Sequence, residues 1–177
     1  LRRIQTRPRT TAPHTPMNIG IDIRALATPK TGVGEYTTEL LRAVFALDQT
    51  NKYFLFYNGF RKNKTDKLLQ ELSKIFNQPN VHFVATRWPN KLLNLGTLLL
   101  GRPHLNRLIE KNVILSEAKN LPFKLDYFFS PNLNFTALNA NVKHILMMHD
   151  LAFYLFPEYN TLRQRLWHRL LKPREQA

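Results

Sequence analysis

Residues 17–36, which read MNIGIDIRALATPKTGVGEY, constrain the fold more than any other part of the chain. Isoleucine alternates with small or polar residues over positions 19–23, and this period of two is that of a β-strand. A loop with Gly32 and Gly34 follows, and a helical pattern with one apolar face begins at Tyr36. A strand, a glycine loop and a helix open many nucleotide-binding α/β sheets, because a helix amino terminus attracts anions and glycine lets a diphosphate approach the backbone.

The glycine loop differs from the two best-known phosphate-binding loops. The chain has no Gly-Lys-Ser/Thr sequence, so it lacks a P-loop. Gly32 and Gly34 match the first two glycines of the dinucleotide-binding GxGxxG pattern, but Thr37 occupies the third glycine position. By itself a GxG pair is a weak signal, and an ordinary tight turn explains it equally well.

The chain has 177 residues, a net charge of +14 and no cysteine. This length is sufficient for one domain with a hydrophobic core, and the lack of cysteine fits a cytoplasmic protein. The charge indicates an anionic partner such as a nucleotide, a nucleic acid or acidic lipid headgroups. Nine of the 26 basic residues cluster in residues 1–16 and 163–174, and the middle of the chain has no dense basic stripe with interleaved aromatics. We therefore predict no nucleic-acid partner, and a basic nucleic-acid-binding protein is kept as a third alternative.

Five short apolar runs alternate with segments of helical period. They predict strands at residues 18–24, 53–57, 81–85, 126–129 and 143–148. Strands that alternate with helices favour parallel crossovers, so we predict an α/β fold with a doubly wound parallel sheet over residues 17–174. Residues 1–16 are rich in Arg, Thr and Pro and have no such period, so we predict that they form a disordered basic extension.

Residues 87–103 mix many leucines with Lys91 and Arg102. One interpretation is a helix that packs on the edge of the sheet. The other is a helix that offers leucines and cations to a membrane surface or to a lipid acceptor. The localisation predicted from the lack of cysteine is cytoplasmic. The second interpretation of residues 87–103 adds peripheral contact with the inner face of the membrane as an alternative.

Polar residues follow several predicted strands, at the sheet edge where open parallel sheets bind ligands. Besides the glycine loop, they are Ser130 with Asn132, and His149 with Asp150. His149 is either a structural histidine or part of a ligand site. Asp150 either orients that imidazole or caps the following turn.

Two further groups have structural interpretations. Asp22 and Arg24 lie near the end of the first predicted strand, where a structural ion pair is the favoured interpretation. His144 lies within a predicted strand, five residues before His149. This spacing is not that of metal ligands, so we predict no metal site.

Several segments together resemble the N-terminal domain of glycosyltransferase family 4, a large family of retaining enzymes with the GT-B fold. These segments are IDIRAL, TGVGEYTTELLRAV, YFFSPNLN, KHILMMHDLAFYLFPEY and LRQRLWHRLLKPR. The pairing of a glycine loop with a His-Asp motif after a later strand carries the resemblance. It implies a Rossmann-like sheet that forms one half of a GT-B enzyme, with a nucleotide-sugar donor and a glycan or lipid-linked acceptor.

The resemblance also implies roles for individual residues. The backbone of Gly32 to Gly34 would approach the donor diphosphate and the acceptor, and His149 would hydrogen-bond the donor sugar near the reacting centre. His149 and Asp150 are the candidate catalytic residues, and the candidate donor- and acceptor-binding residues are Gly32, Val33, Gly34, Tyr36, Ser130 and Asn132. The family's reaction uses no metal or other cofactor, and its retention of configuration is attributed to front-face attack assisted by the leaving diphosphate.

The family's nucleotide-binding domain would follow Arg174, and the given sequence ends at Ala177. We therefore expect a fragment that is inactive alone and needs a C-terminal domain or a split partner chain. Residues 112–121, NVILSEAKNL, are interpreted as an insertion or as a surface loop with one helical turn. The alternative function is a non-catalytic, Rossmann-like domain that binds a nucleotide or a partner.

Overall fold

The computed structural model of the chain describes residues 15–27, 31–117, 123–162 and 165. Within these residues the strands are β1 (Asn18–Asp22), β2 (Lys52–Asn58), β3 (Val81–Thr86), β4 (Tyr127–Ser130) and β5 (Lys143–Leu146). They form one sheet in the order β3-β2-β1-β4-β5, and every neighbouring pair is parallel. Each strand begins and ends within two residues of its predicted position.

Helices connect these strands. They are α1 (Gly32–Leu47), α2 (Lys62–Ile75), α3 (Asn90–Leu100), α4 (Leu105–Glu117) and α5 (Ala152–Leu155), with 3-10 turns at Arg24–Ala27 and Pro157–Tyr159. Helices form the parallel crossovers from β1 to β4, whereas residues 131–142, which connect β4 to β5, contain no helix.

Alternation along the strands gives the sheet two hydrophobic faces. Phe54 and Phe56 of β2 belong to one core cluster, which includes buried residues of α3 and α4. Tyr53 and Leu55 belong to the other cluster, which includes buried residues of α1 and α2. Burial on both faces explains why β2 is a continuous apolar run. The α/β, doubly wound parallel fold predicted from the sequence is thus confirmed, and it is consistent with a Rossmann-like sheet.

The first helix begins earlier than the sequence pattern indicates. Gly32 and Gly34 lie in the first turn of α1 instead of in a loop before Tyr36. Thr31 sets this start, because its hydroxyl accepts the Gly34 N–H at 3.0 Å and its carbonyl accepts the Glu35 N–H at 2.9 Å. The prediction that these glycines form a loop ahead of the helix is therefore wrong.

The segment interpreted as an insertion is partly helical. Residues 112–117 continue α4, and Val113 is buried in the core. Residues 118–122 lie outside the described residues, as do residues 1–14 of the basic extension and residues 166–174. No helix in the described part of the chain is long and apolar enough to span a membrane.

Strand order places the switch point of the sheet between β1 and β4. From β1 the chain moves outward through β2 to β3, and the later strands β4 and β5 add on the other side of β1. The connections that leave β1 and β4 therefore depart in opposite directions, and a crevice forms between them at the carboxyl ends of the strands.

Candidate functional site

A cleft of about 280 Å³ lies at the switch point of the sheet. It is bordered by the start of α1 and by the segments that follow β4 and β5. The residues that line it are Val33, Asn132, Leu133, Met147, Met148, His149, Asp150, Ala152 and Asn160. The fold thus brings Val33 of the glycine segment and the His-Asp motif to one cleft, whereas the predicted site residues Gly32, Gly34 and Tyr36 are not among the residues that line it.

The amino terminus of α1 forms one wall of this cleft. Val33 lines the cleft, and the Thr31 cap uses the N–H groups of Gly34 and Glu35. The N–H groups of Gly32 and Val33 have no hydrogen-bond partner among the described residues, and with the helix dipole they give this end of α1 a partial positive charge. A Cβ at Gly32 would meet no atom within 4 Å, which leaves open space in front of this backbone.

His149 also lines the cleft and contacts α1. Its Nε2 lies 2.8 Å from the Pro131 carbonyl oxygen, and its ring meets the Tyr36 ring edge-on at a centroid distance of 5.2 Å. A carbonyl oxygen only accepts, so Nε2 carries the proton in this hydrogen bond. In the neutral ring, Nδ1 is then a hydrogen-bond acceptor that suits a hydroxyl group of a ligand.

Asp150 has a different local role from its neighbour. Its Oδ1 accepts the Ala152 N–H at 3.0 Å, at the start of α5. Of the two interpretations of this residue, the structure therefore shows the cap, and the Pro131 carbonyl orients the imidazole of His149. Asp150 also lines the cleft and is exposed, so its carboxylate contributes negative charge there.

Ser130 and Asn132, which follow β4, have different environments. Ser130 is fully buried, and its Oγ lies 2.9 Å from Nε2 of His144 on β5. Asn132 lines the cleft, although its Oδ1 accepts the N–H of the next residue, Leu133. Of these two candidate binding residues, the structure brings only Asn132 to the cleft. Partial burial lowers the pKa of His144, while the negative charge of Asp22 partly opposes this shift.

Asp22 and Arg24 form a buried ion pair beneath the site. The guanidinium of Arg24 donates from Nε and Nη2 to the Asp22 carboxylate at 2.7–3.1 Å. The same Nη2 donates to the Phe135 carbonyl at 3.1 Å, and Asn134 also donates to Asp22. The prediction that Arg24 lies on the first strand is wrong, because β1 ends at Asp22 and Arg24 begins the 3-10 turn that follows. The pair links the segment after β1 to the segment after β4, which supports the structural interpretation.

Sequence reasoning missed several residues of the cleft. Leu133, Met147, Met148 and Asn160 line it, and the Pro131 carbonyl holds His149. The two methionines had a usable signal, because they lie between a strand and the His-Asp motif. The other contacts depend on the path of the chain after β4 and have no local pattern.

Metal ligation is not suggested by the arrangement of side chains. In residues 15–27, 31–117 and 123–162, no group of three or more His, Cys, Asp and Glu residues is placed to hold a metal ion. The groups available for chemistry in the cleft are the α1 amides, the imidazole, an amide side chain and a carboxylate.

Comparisons with protein-family models, with curated proteins and with solved structures find no match to this chain. The class of this protein is therefore described from its fold and its cleft alone. The chain is an α/β protein with a Rossmann-like parallel sheet and a polar cleft at the switch point of that sheet.

Proposed function

We propose that this chain is the N-terminal, acceptor-side portion of a retaining glycosyltransferase. The enzyme would move a sugar from a nucleotide-sugar donor to a glycan or lipid-linked acceptor. The proposal combines the resemblance of the sequence to glycosyltransferase family 4 with the geometry of the cleft. The observation that carries it is the meeting of the α1 amino terminus and His149 in one cleft, with the Tyr36 ring against the imidazole.

The groups in the cleft suit the chemistry of sugar transfer. Unpaired N–H groups at a helix start stabilise negative charge on a diphosphate, and Val33 places such groups on the cleft wall. The Pro131 carbonyl leaves Nδ1 of His149 as an acceptor for a sugar hydroxyl. These groups would bind and orient the donor, so the chain contributes positioning and charge stabilisation instead of a strong base.

Binding of sugar nucleotides tests this proposal directly. The 177-residue chain is titrated with a panel of nucleotide sugars, and saturation-transfer NMR detects weak complexes. We expect one nucleotide sugar to bind with a Kd of about 1 mM, because one helix terminus and one imidazole supply few contacts. His149→Ala is expected to weaken this binding about tenfold, since it removes a hydrogen bond to the sugar.

His82→Ala is the matched control. His82 lies on β3, stacks on Phe54 at 5.2 Å and is not part of the cleft, so its removal should leave the Kd unchanged. Equal loss in both variants, or no binding of any nucleotide sugar, would contradict the donor site. A product assay on the full gene product with glycan and lipid-linked acceptors tests the transfer step. Nucleotide binding without transfer would support the non-catalytic alternative.

A further inference from the structure

Large apolar side chains are exposed along α3 and on the segments that follow β2 and β3. We call this group the α3 rim, and its members are Phe60, Trp88, Leu92, Leu95, Leu99 and Leu100. Their exposed fractions range from 44% for Trp88 to 76% for Leu100. A single exposed leucine is common in soluble proteins, but six large exposed apolar side chains on one helix and the segments beside it indicate a surface for interaction.

The pattern within α3 separates an inward residue from an outward stripe. Leu93 is buried in the core, at 1% exposure. Leu92, Leu95 and Leu99 recur every three or four residues, so they share one side of the helix, and Trp88 precedes this stripe by one turn. The helix thus buries one leucine against the core and exposes other leucines to solvent.

Backbone and amide contacts join the two aromatic residues of the rim. The Gly59 N–H donates to the Thr86 carbonyl at 3.0 Å, which holds the ends of β2 and β3 together. The buried Asn58 amide bridges the strands further, because its Nδ2 donates to the Trp88 carbonyl and its Oδ1 accepts the Trp88 N–H. Phe60 and Trp88 are consequently held at one corner of the sheet.

The charge around the rim is positive. The segments 58–64 and 86–104 contain no Asp or Glu, and their exposed cations are Arg61, Lys62, Lys64, Arg87, Lys91 and Arg102. Asp66 of α2 lies near this group, with its Oδ1 4.0 Å from Nη2 of Arg87. Leucines and an indole bordered by cations match a surface whose apolar layer lies beneath anionic headgroups.

We propose that the α3 rim docks on the surface of an anionic lipid bilayer. With 11 residues, α3 suits lying in the interface, and no described helix is long enough to span a membrane. Phe60 and Trp88 follow the carboxyl ends of β2 and β3, at the sheet edge that also holds the switch-point cleft, so docking through them would bring that edge toward the lipid headgroups. This inference goes beyond the proposed function, since it requires neither a nucleotide sugar nor a transfer step.

Vesicle sedimentation tests the docking. The 177-residue chain is mixed with vesicles of phosphatidylcholine alone or with added phosphatidylglycerol, without any nucleotide sugar. We expect binding to the anionic vesicles and little to the neutral ones. The double variant Leu95→Ser/Leu99→Ser should weaken partition into the vesicles at least tenfold, because each leucine that enters the lipid contributes substantially to insertion. Leu47→Ser, at an exposed leucine at the end of α1, is the matched control and should bind normally.

Charge variants and fluorescence give independent measurements. Lys91→Glu should weaken the partition by about fivefold or more, whereas Lys74→Glu, in the last turn of α2, should have a smaller effect. The chain has two tryptophans, so Trp167→Phe leaves Trp88 as the remaining indole. Brominated lipid is expected to quench Trp88 in this variant, which reports insertion even if a leucine variant folds poorly.

Three outcomes would overturn the proposal. The first is vesicle binding that survives the double leucine variant and disappears when the four arginines of residues 1–16 are changed to Gln, since the basic extension would then carry the binding. The second is an absence of Trp88 quenching on vesicles that bind the chain. The third is self-association that the double leucine variant abolishes while vesicles do not bind, which would identify a second copy of the chain as the occupant.

Discussion

Polar residues have different roles at the two ends of the sheet, which are the amino edge, where the strands begin, and the carboxyl edge, where they end. At the amino edge, the Asp48 carboxylate accepts hydrogen bonds from the Tyr53 hydroxyl, the Asn51 amide and the Thr50 N–H. Asn80 donates to the carbonyls of Asp48 and Asn51, so the end of α1 and the starts of β2 and β3 are tied together. Burial raises the pKa of Asp48, but these hydrogen bonds outweigh it and leave the pKa below its usual value.

The carboxyl edge leaves polar groups available at the switch point. There the N–H groups of Gly32 and Val33 have no hydrogen-bond partner among the described residues, and His149 is held by the Pro131 carbonyl and by contact with Tyr36. Parallel topology explains the difference, because every crossover helix directs its amino terminus toward the carboxyl edge. The comparison teaches that the amino edge stabilises the fold, whereas the carboxyl edge is available to a ligand.

The largest effect on stability is expected at the amino edge. Asp48→Ala should lower the free energy of unfolding by about 3 kcal/mol, because it leaves the buried Tyr53 hydroxyl and the Asn51 amide without their acceptor. Urea unfolding measures this change. Asp150→Ala is the counterpart at the carboxyl edge, where loss of one cap should cost about 1 kcal/mol. Equal costs in the two variants would remove the contrast between the edges.

A pair of glycine substitutions compares the packed sheet with the open edge. A Cβ at Gly20 would lie 2.7 Å from a ring carbon of Phe128 and 2.9 Å from Leu125, both of which are buried. Gly20→Ala should therefore destabilise the chain by about 2 kcal/mol. Gly32→Ala meets no atom within 4 Å and should change stability by less than about 0.5 kcal/mol. Thermal unfolding of the two variants checks this, and a larger cost at Gly32 would mean that its space is already filled.

Tyr36 offers a finer test of the site, because its ring contacts that of His149. Tyr36→Ala should weaken nucleotide-sugar binding about fivefold, since an edge-to-face contact contributes about 1 kcal/mol to holding the imidazole. The free energy of unfolding should barely change, because Tyr36 is 44% exposed. Tyr159→Ala, at a more exposed tyrosine, is the control for NMR titration. Unchanged binding in the Tyr36 variant would show that Pro131 alone positions His149.

The smallest expected effect is a pH dependence from His144. Its pKa is lowered in the folded state, so the unfolded chain binds the proton more readily. The neutral imidazole therefore contributes stability above about pH 6.5, and this contribution is lost as the pH falls through the folded-state pKa. Urea unfolding at neutral and mildly acidic pH should show lower stability in acid. His144→Gln keeps a partner for Ser130 and should flatten the profile between these values, and a slope that survives in this variant would have to come from another group.

Local sequence patterns were sufficient for the strands and for the class of fold. The five strands and their helices follow from periods of two and 3.6, which depend on neighbours along the chain. The start of α1 was predicted four residues too late, because the glycines have low helix propensity and the Thr31 cap outweighs it.

The candidate site was only partly predictable. The rule that ligands bind at the carboxyl ends of parallel strands correctly brought Val33, Asn132 and His149 to one edge. It also selected Ser130, whose buried hydroxyl lies against His144 of β5 and does not line the cleft. A residue at the end of a strand faces either the cleft or the interior, and its position in the sequence does not distinguish the two.

By itself, the sequence determined the elements, their parallel arrangement and the edge that holds the cleft. Tertiary structure decided which groups meet there: the ring of Tyr36 with His149, the Pro131 carbonyl with the imidazole, and Ser130 with His144. The physical reason is the distance along the chain over which each kind of interaction acts. Periodicity and capping act within a few residues, whereas each of these contacts joins side chains or carbonyls from segments that only strand pairing and core packing bring together.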